Sequence, residues 1–161
     1  MFAISLTTQL TVVGRIALAA ALGFVVGLER ETRGKSAGER TIALVAAASA
    51  AFGALAVVSF PVTGGQLIAG VAVGIGFLGG GVIWRSGMGP ARGLTTAAAA
   101  WTVAATCVLA GVGYYLAALL STAITVLILE VEYLPVVGRF VHRMPSDEET
   151  MDRGPGTEPD A

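Results

Sequence analysis

The sequence predicts an all-α, polytopic transmembrane helical bundle of about five spans, with its N-terminus outside and its C-terminus cytoplasmic. Three observations lead there. The 44 residues between Arg40 and Arg85 contain no Asp, Glu, Lys or Arg, and the 37 between Arg92 and Glu130 contain none either. Charged residues are 13% of the chain, against about 25% in soluble domains, and the mean hydropathy is +0.78. Lys and Arg fall in alternate connections. A soluble helix must show one face to water, whereas a charge at a bilayer centre costs about 2.5–3.5 kcal/mol, so selection empties the spans and crowds charge into loops.

The first span covers residues 10–28. Residues 1–10 carry no positive charge, while Arg30, Arg33, Lys35 and Arg40 follow the span. That excludes a cleaved signal peptide and fits a first helix inserted with its N-terminus outward. Arg15 belongs to the span, since the apolar run left without its surroundings is only about 20 Å long at 1.5 Å per residue. It is expected within the outer leaflet, either reaching the headgroups or making a polar contact inside the bundle.

The second span covers 41–60. Pro61-Val62-Thr63-Gly64-Gly65 breaks it, and 66–84 returns as the third. The fourth covers 95–110 and turns at Gly111-Val112-Gly113; the fifth covers about 114–133. The fourth is short, so its ends are expected to tuck into the bundle or the bilayer to thin beside it.

Loop charge sets the orientation. The first loop holds four Lys or Arg, the third holds Arg85 and Arg92, the tail holds Arg139, Arg143 and Arg153, and the second and fourth connections hold none. Five spans satisfy the positive-inside rule at every loop; four would put one bare and one basic loop on the wrong sides. Tyr114 and Tyr115 mark the outer interface, Trp84 and Tyr133 the inner one. Residues 1–134 therefore make one transmembrane domain. Residues 135–161 make a short cytoplasmic tail, basic at first and then acidic and rich in Pro and Gly, which is predicted to be disordered.

No catalytic constellation is present. The lone cysteine, Cys107, sits in an apolar run as a small buried filler, and the lone histidine, His142, is in the tail. Neither suggests a metal site or a cofactor, and no patch is basic enough for nucleic acid. The expected partners are the lipid bilayer and other membrane proteins or further copies of the chain.

Gly74-Ile75-Gly76-Phe77-Leu78-Gly79 matches the dinucleotide pattern G-x-G-x-x-G. It lacks a strand–turn–helix context, and Ala99 and Ala100 stand where an acid belongs. Its glycines indicate helix contact instead: Gly70 and Gly74, then Gly76 and Gly80, are four apart and allow backbones to approach. Gly79-Gly80-Gly81 lowers helix propensity by about 1 kcal/mol per residue relative to Ala. Either tight packing or a partly unwound segment facing a cavity would account for it. Trp101, two turns into its span, is expected to find a buried partner for its indole N–H.

The most polar region is the first loop. Glu29 and Arg33, and Glu31 and Lys35, have the favourable i,i+4 order for ion pairs. Glu29 and Arg30 stand at one membrane boundary and Arg40 and Thr41 at the other edge of the loop. In the third loop Arg92 precedes Thr95 and Thr96, whose hydroxyls can cap a helix start. Together these give two positive helix ends on one side of the membrane, suited to an anion or to the Glu29 carboxylate.

Four motifs in order resemble the MgtC/SapB family of bacterial inner-membrane proteins. They are Gly27-Leu28-Glu29-Arg30-Glu31, Ala37-Gly38-Glu39-Arg40-Thr41, Gly74-Ile75-Gly76-Phe77-Leu78-Gly79-Gly80-Gly81-Val82-Ile83, and Gly93-Leu94-Thr95-Thr96-Ala97-Ala98 with Trp101. The resemblance runs over about residues 18–115. The chain departs from the family pattern at Gly80, where Ala is usual, and at Glu39, where Leu is usual. The resemblance implies a multi-span, non-enzymatic membrane protein linked to magnesium limitation and, in pathogens, to survival inside macrophages. Members are expected to modulate other membrane machinery, such as ATP synthase, with Mg²⁺ transport as the alternative. Longer relatives add a C-terminal ACT-like domain; this chain resembles the short, SapB-like form.

Overall fold

A computed structural model of the chain describes residues 4–84, 93–131 and 133. They form five helices: α1 (Leu6–Thr32), α2 (Glu39–Val58), α3 (Gly64–Trp84), α4 (Leu94–Val112) and α5 (Tyr115–Val131). The described residues contain no strand. The first four helices are long and apolar enough to cross a membrane. The fifth is apolar and has 17 residues, the lower limit for a span. The fourth span, expected at 95–110 to be short, reaches 19 residues because α4 continues through Gly111 and Val112, and the shortest of the five helices is the last. Residues 85–92, which include Arg85 and Arg92, and the tail from residue 134 lie outside the described residues.

Local chemistry explains the helix ends. Ser5 caps α1, its hydroxyl accepting the Thr8 N–H at 3.1 Å. Beyond Thr32 the chain turns at Gly34, whose φ of 65° is a left-handed conformation that side chains disfavour. Gly113 (φ 113°) ends α4 in the same way. There the N–H groups of Gly113 and Tyr114 return to the Leu109 carbonyl at 3.0 and 2.8 Å, satisfying a carbonyl the helix end leaves unbonded.

The chain divides into a compact unit through Val126 and a short unit from Leu127 onward. In the second unit the Tyr133 N–H closes a turn onto the Glu130 carbonyl at 3.0 Å. In the first unit α2 is the centre, packing against α1, α3 and α4, while α4 also touches α1 and α3. Ile42, Ala46, Ala50 and Ala54 on α2 are wholly buried. Lipid tails are as apolar as the side chains, so no hydrophobic force drives these helices together and close van der Waals contact must do it.

Glycines provide that contact. A Cβ on Gly23 of α1 would overlap Ala46 of α2, and one on Gly27 would lie 2.5 Å from Glu39 Cα. On the other side of α2, a Cβ on Gly53 would lie 2.7 Å from the Val108 carbonyl oxygen, and one on Gly111 of α4 would strike the Ala50 carbonyl. Cys107 fills space as expected: it is buried, and its thiol donates to the Ala19 carbonyl at 3.7 Å.

Arg15 makes the inward contact. Its Nη1 donates to the carbonyls of Gly111 and Val112 at 2.9 and 3.3 Å, and its Nε donates to the Tyr115 hydroxyl at 3.0 Å. A cation at the last carbonyls of α4 complements the negative end of the helix dipole.

Replacing Gly111 by Val should lower stability in denaturant titrations in detergent by about 2–3 kcal/mol, because the backbone of α2 cannot yield. Gly70→Val, where the added Cβ meets open space, should change it by less than about 1 kcal/mol.

Candidate functional site

The last turns of α1 place Glu29, Arg30 and Glu31 where α1, α2 and α4 meet. Gly27 makes this possible, since its bare Cα lets the start of α2 lie against α1 at Glu39. Arg30 is only 1% exposed. Its side chain crosses to the first turn of α4, where Nη2 donates to Thr96 Oγ1 at 2.8 Å. Glu29, 9% exposed, lies beside it, with Oε2 3.9 Å from Arg30 Nη1.

The pair is poorly made. Neighbouring residues on a helix point in different directions, so Glu29 and Arg30 cannot reach the parallel two-bond geometry of a good carboxylate–guanidinium pair. Neither Glu29 oxygen accepts a hydrogen bond, and Arg30 Nε has no acceptor. Breaking a buried pair costs about 3–5 kcal/mol, and leaving its atoms unsatisfied adds to the burden. Such a site is held in place by the fold around it.

Glu31 has a different task. Its Oε2 accepts the Glu39 N–H at 3.2 Å and so caps α2 from α1. Gly38, the N-cap of α2, offers no side chain of its own, and a Cβ there would collide with the Glu31 carboxylate. Glu39, the residue unusual for the motif, sits with Oε1 3.6 Å from Arg40 Nε and with Oε2 buried and unbonded.

The structure brings together only part of the predicted cluster. Glu29, Arg30 and Thr96 converge, and Glu31 joins at the start of α2. Thr41 and Thr95 are exposed, and the Arg40 side chain is 92% exposed. Arg92 lies outside the described residues. The two helix starts also differ from expectation. Glu31 occupies the start of α2, in place of an anion or Glu29. No side chain caps α4, because its N-cap is Gly93 (φ 86°) and Thr95 and Thr96 lie inside the first turn, where the Thr96 hydroxyl accepts from Arg30.

The predicted packing residues fare differently. Gly70, Gly74, Gly76, Gly80 and Gly81 have open space where a Cβ would be, and Gly79 alone meets a neighbour, Ala97 Cβ at 3.4 Å. Within the chain these glycines do not seat α3, which is continuously helical through the triple glycine. Trp101 is 51% exposed and lines an apolar groove between α3 and α4, so the expected burial of its indole is not found. The glycines that do bring helices together are Gly23, Gly27, Gly53 and Gly111, none of them among the expected packing residues; Gly111, expected in a turn, lies inside α4 against Ala50. For the first two the signal existed in their four-residue spacing on α1.

Described residues that are all-helical, with four helices able to cross a bilayer and a buried arginine of α1 hydrogen-bonded to α4 at one end, define a multi-pass membrane protein. The chain belongs to the MgtC family, whose sequence profile matches residues 16–134. It is 46% identical over 103 residues to Protein MgtC of Salmonella typhimurium strain LT2, covering 64% of this chain and 44% of that protein. It is 39% identical over 129 residues to Protein SrpB of Synechococcus elongatus, covering 71% of each. An uncharacterized protein of Haemophilus influenzae is 34% identical over 148 residues, covering 84% of this chain and 60% of that one. The match thus spans less than half the length of the Salmonella relative. No solved structure matches.

Arg30→Met should destabilise the protein by about 3–5 kcal/mol, because it strands a buried carboxylate. Adding Glu29→Gln should recover at least a third of that loss in a double-mutant cycle read by detergent unfolding. Glu31→Ala should cost about 1 kcal/mol through the lost cap. Arg40→Ala, at an exposed position, should stay within about 0.5 kcal/mol of wild type.

Proposed function

We propose that this chain is a non-enzymatic regulator of the bacterial inner membrane, linked to magnesium limitation, which acts by helix contact with other membrane proteins. The observation that carries the reading is the glycine face of α3. Six of its glycines, Gly65, Gly70, Gly74, Gly76, Gly80 and Gly81, have nothing among the described residues where a Cβ would be, although each lowers helix propensity by about 1 kcal/mol relative to Ala. In a bilayer, small residues on a helix repay that cost when another helix lies against them. Val73 and Phe77, 76% and 83% exposed, stand between Gly76 and Gly80 on one side and Gly70, Gly74 and Gly81 on the other, so a partner helix would meet large apolar groups flanked by glycines.

The distribution of charge supports regulation over transport. The buried carboxylate Glu29 and the capping Glu31 stand together at one end of the bundle, and the middle of α2, α3 and α4 carries no charge. A hard cation needs several oxygen ligands along its path. The link to magnesium follows from the family. The orientation follows from the loop charges, with the N-terminus outside and the Glu29–Arg30 end at the cytoplasmic face.

Complementation of a deletion strain across a magnesium series tests this. Gly74→Leu and Gly80→Leu should insert in the membrane at wild-type levels and fail to restore growth at low magnesium. Full rescue by both would overturn the reading. Magnesium flux through liposomes containing only the purified protein would decide for a transporter.

A further inference from the structure

We propose that the groove between α3 and α4 is a binding slot for a single phospholipid acyl chain, entered from the leaflet at the end of α4 marked by Tyr114. The groove has a volume of about 470 Å³ and is closed at one end. Its deepest lining residues are Ile75 and Trp101, each four positions from the point where Gly79 meets Ala97, whose Cβ lies 3.4 Å from where the glycine's would be. Among the described residues, none of α3 beyond Ile75 and none of α4 before Trp101 lines it. In the other direction the gap continues to Val112 and Tyr114, where α4 ends. The back wall belongs to the core, since Val108 in that wall packs against Gly53 of α2.

The depth of the slot is that of one leaflet. Eleven positions separate Trp101 from Val112, which is about 16 Å along a helix axis. Half of a bilayer core is about 15 Å. Tyr114 at the mouth is 64% exposed and stands where interfacial tyrosines meet the headgroups. Trp101 at the floor is 51% exposed although it lies well inside its span. A chain that enters beside Tyr114 and ends against Trp101 gives that ring a neighbour.

Those dimensions choose the occupant. A partner helix is about 10–12 Å across and runs through both leaflets, so it cannot enter a slot that closes partway along its helices. Water gains nothing there, because an apolar lining offers it too few hydrogen bonds. An empty slot would cost its walls the dispersion contacts that a close neighbour supplies. An acyl chain is thin, apolar and one leaflet long, and it arrives from the bilayer itself. The exposed walls Ala72 and Ala105 are small enough to admit it. The glycines Gly70, Gly74, Gly76, Gly80 and Gly81 take no part in this lining, so the slot stands apart from the contact face of α3.

Trp101 reports occupancy from the floor of the slot. With Trp84→Phe as background, delipidated protein in detergent is titrated with phosphatidylcholine brominated near the chain end. Quenching of Trp101 should saturate at a single lipid per chain, and bromine placed near the ester should quench less. Ala72→Phe and Ala105→Phe together fill the slot from exposed positions and should weaken binding several-fold, whereas Ala123→Phe, exposed on α5, should leave it unchanged. Native mass spectrometry of the same samples should show one phospholipid retained per chain. Quenching that rises without saturation would overturn the proposal, as would equal quenching in the filled variant. A dimer that the filled variant dissociates would overturn it too, by assigning the groove to a second copy. Should the filled variant fail to insert, the titration with the alanines in place decides alone.

Discussion

Backbone-to-backbone approach onto α2 is the interaction on which the rest of the bundle depends. Water drives no helix association inside a bilayer, so the assembly relies on surfaces smooth enough for many weak contacts to form at short range. α2 supplies one on each side. Gly23 and Gly27 of α1 meet Ala46 and Glu39, while Gly53 receives Val108 and Gly111 receives Ala50. Ala46, Ala50 and Ala54 disappear entirely from the surface as a result. A helix of Leu and Phe at these positions would be equally apolar and would hold its neighbours apart.

That core determines where charge can reside. Once α1 and α4 are both seated on α2, their ends are fixed relative to each other, and the two arginines of α1 meet complementary groups on α4 at matching heights. Arg15 gains from carbonyls that a helix end leaves unbonded, so its contact stabilises both helices. Arg30 gains less. It reaches one hydroxyl and a carboxylate that its own helix geometry prevents from pairing well. A stability argument would not select such an arrangement, because well-packed apolar residues of similar volume usually serve as well or better. The unsatisfied atoms of Glu29 and Arg30 make this end of the bundle the place where a change in environment would be felt most strongly.

Much of this was legible in the sequence, for a physical reason: lipid penalises charge so heavily that the spans stand out as blanks. The positions of α2 and α3 agree with the blank between Arg40 and Arg85 within a few residues. The blank is silent about which side of a helix touches which neighbour. An Ala-rich span such as α2 has hardly any amphipathic signal, since both lipid and protein accept the same residues. For that reason the dense glycines of α3 drew attention as packing residues, while the isolated Gly53 and Gly111 carry the contacts. Arg30 and Arg40 likewise look equivalent as basic residues at a boundary. Only the path of α1 decides that the first is buried and the second exposed.

The same reasoning separates α3 from the other helices of the core. It is fastened near its ends, where Gly64 lies against Ala56 and Gly79 against Ala97, and among the described side chains Ile75 is its one buried large residue. Between these points apolar grooves of about 600 and 470 Å³ run along its two sides, toward α2 and toward α4. Larger side chains at Gly70 and Gly74 would fill the groove toward α2, and the helix would gain propensity as well. The sequence instead keeps both glycines, leaving α3 with few contacts to lose. A helix with little local packing belongs to the low-stability end of a protein's spectrum of motions. Small displacements of α3 therefore cost less than displacements of α1, α2 or α4. A partner helix that fills the glycine face would draw on that compliance without disturbing the core or the buried charges beside it.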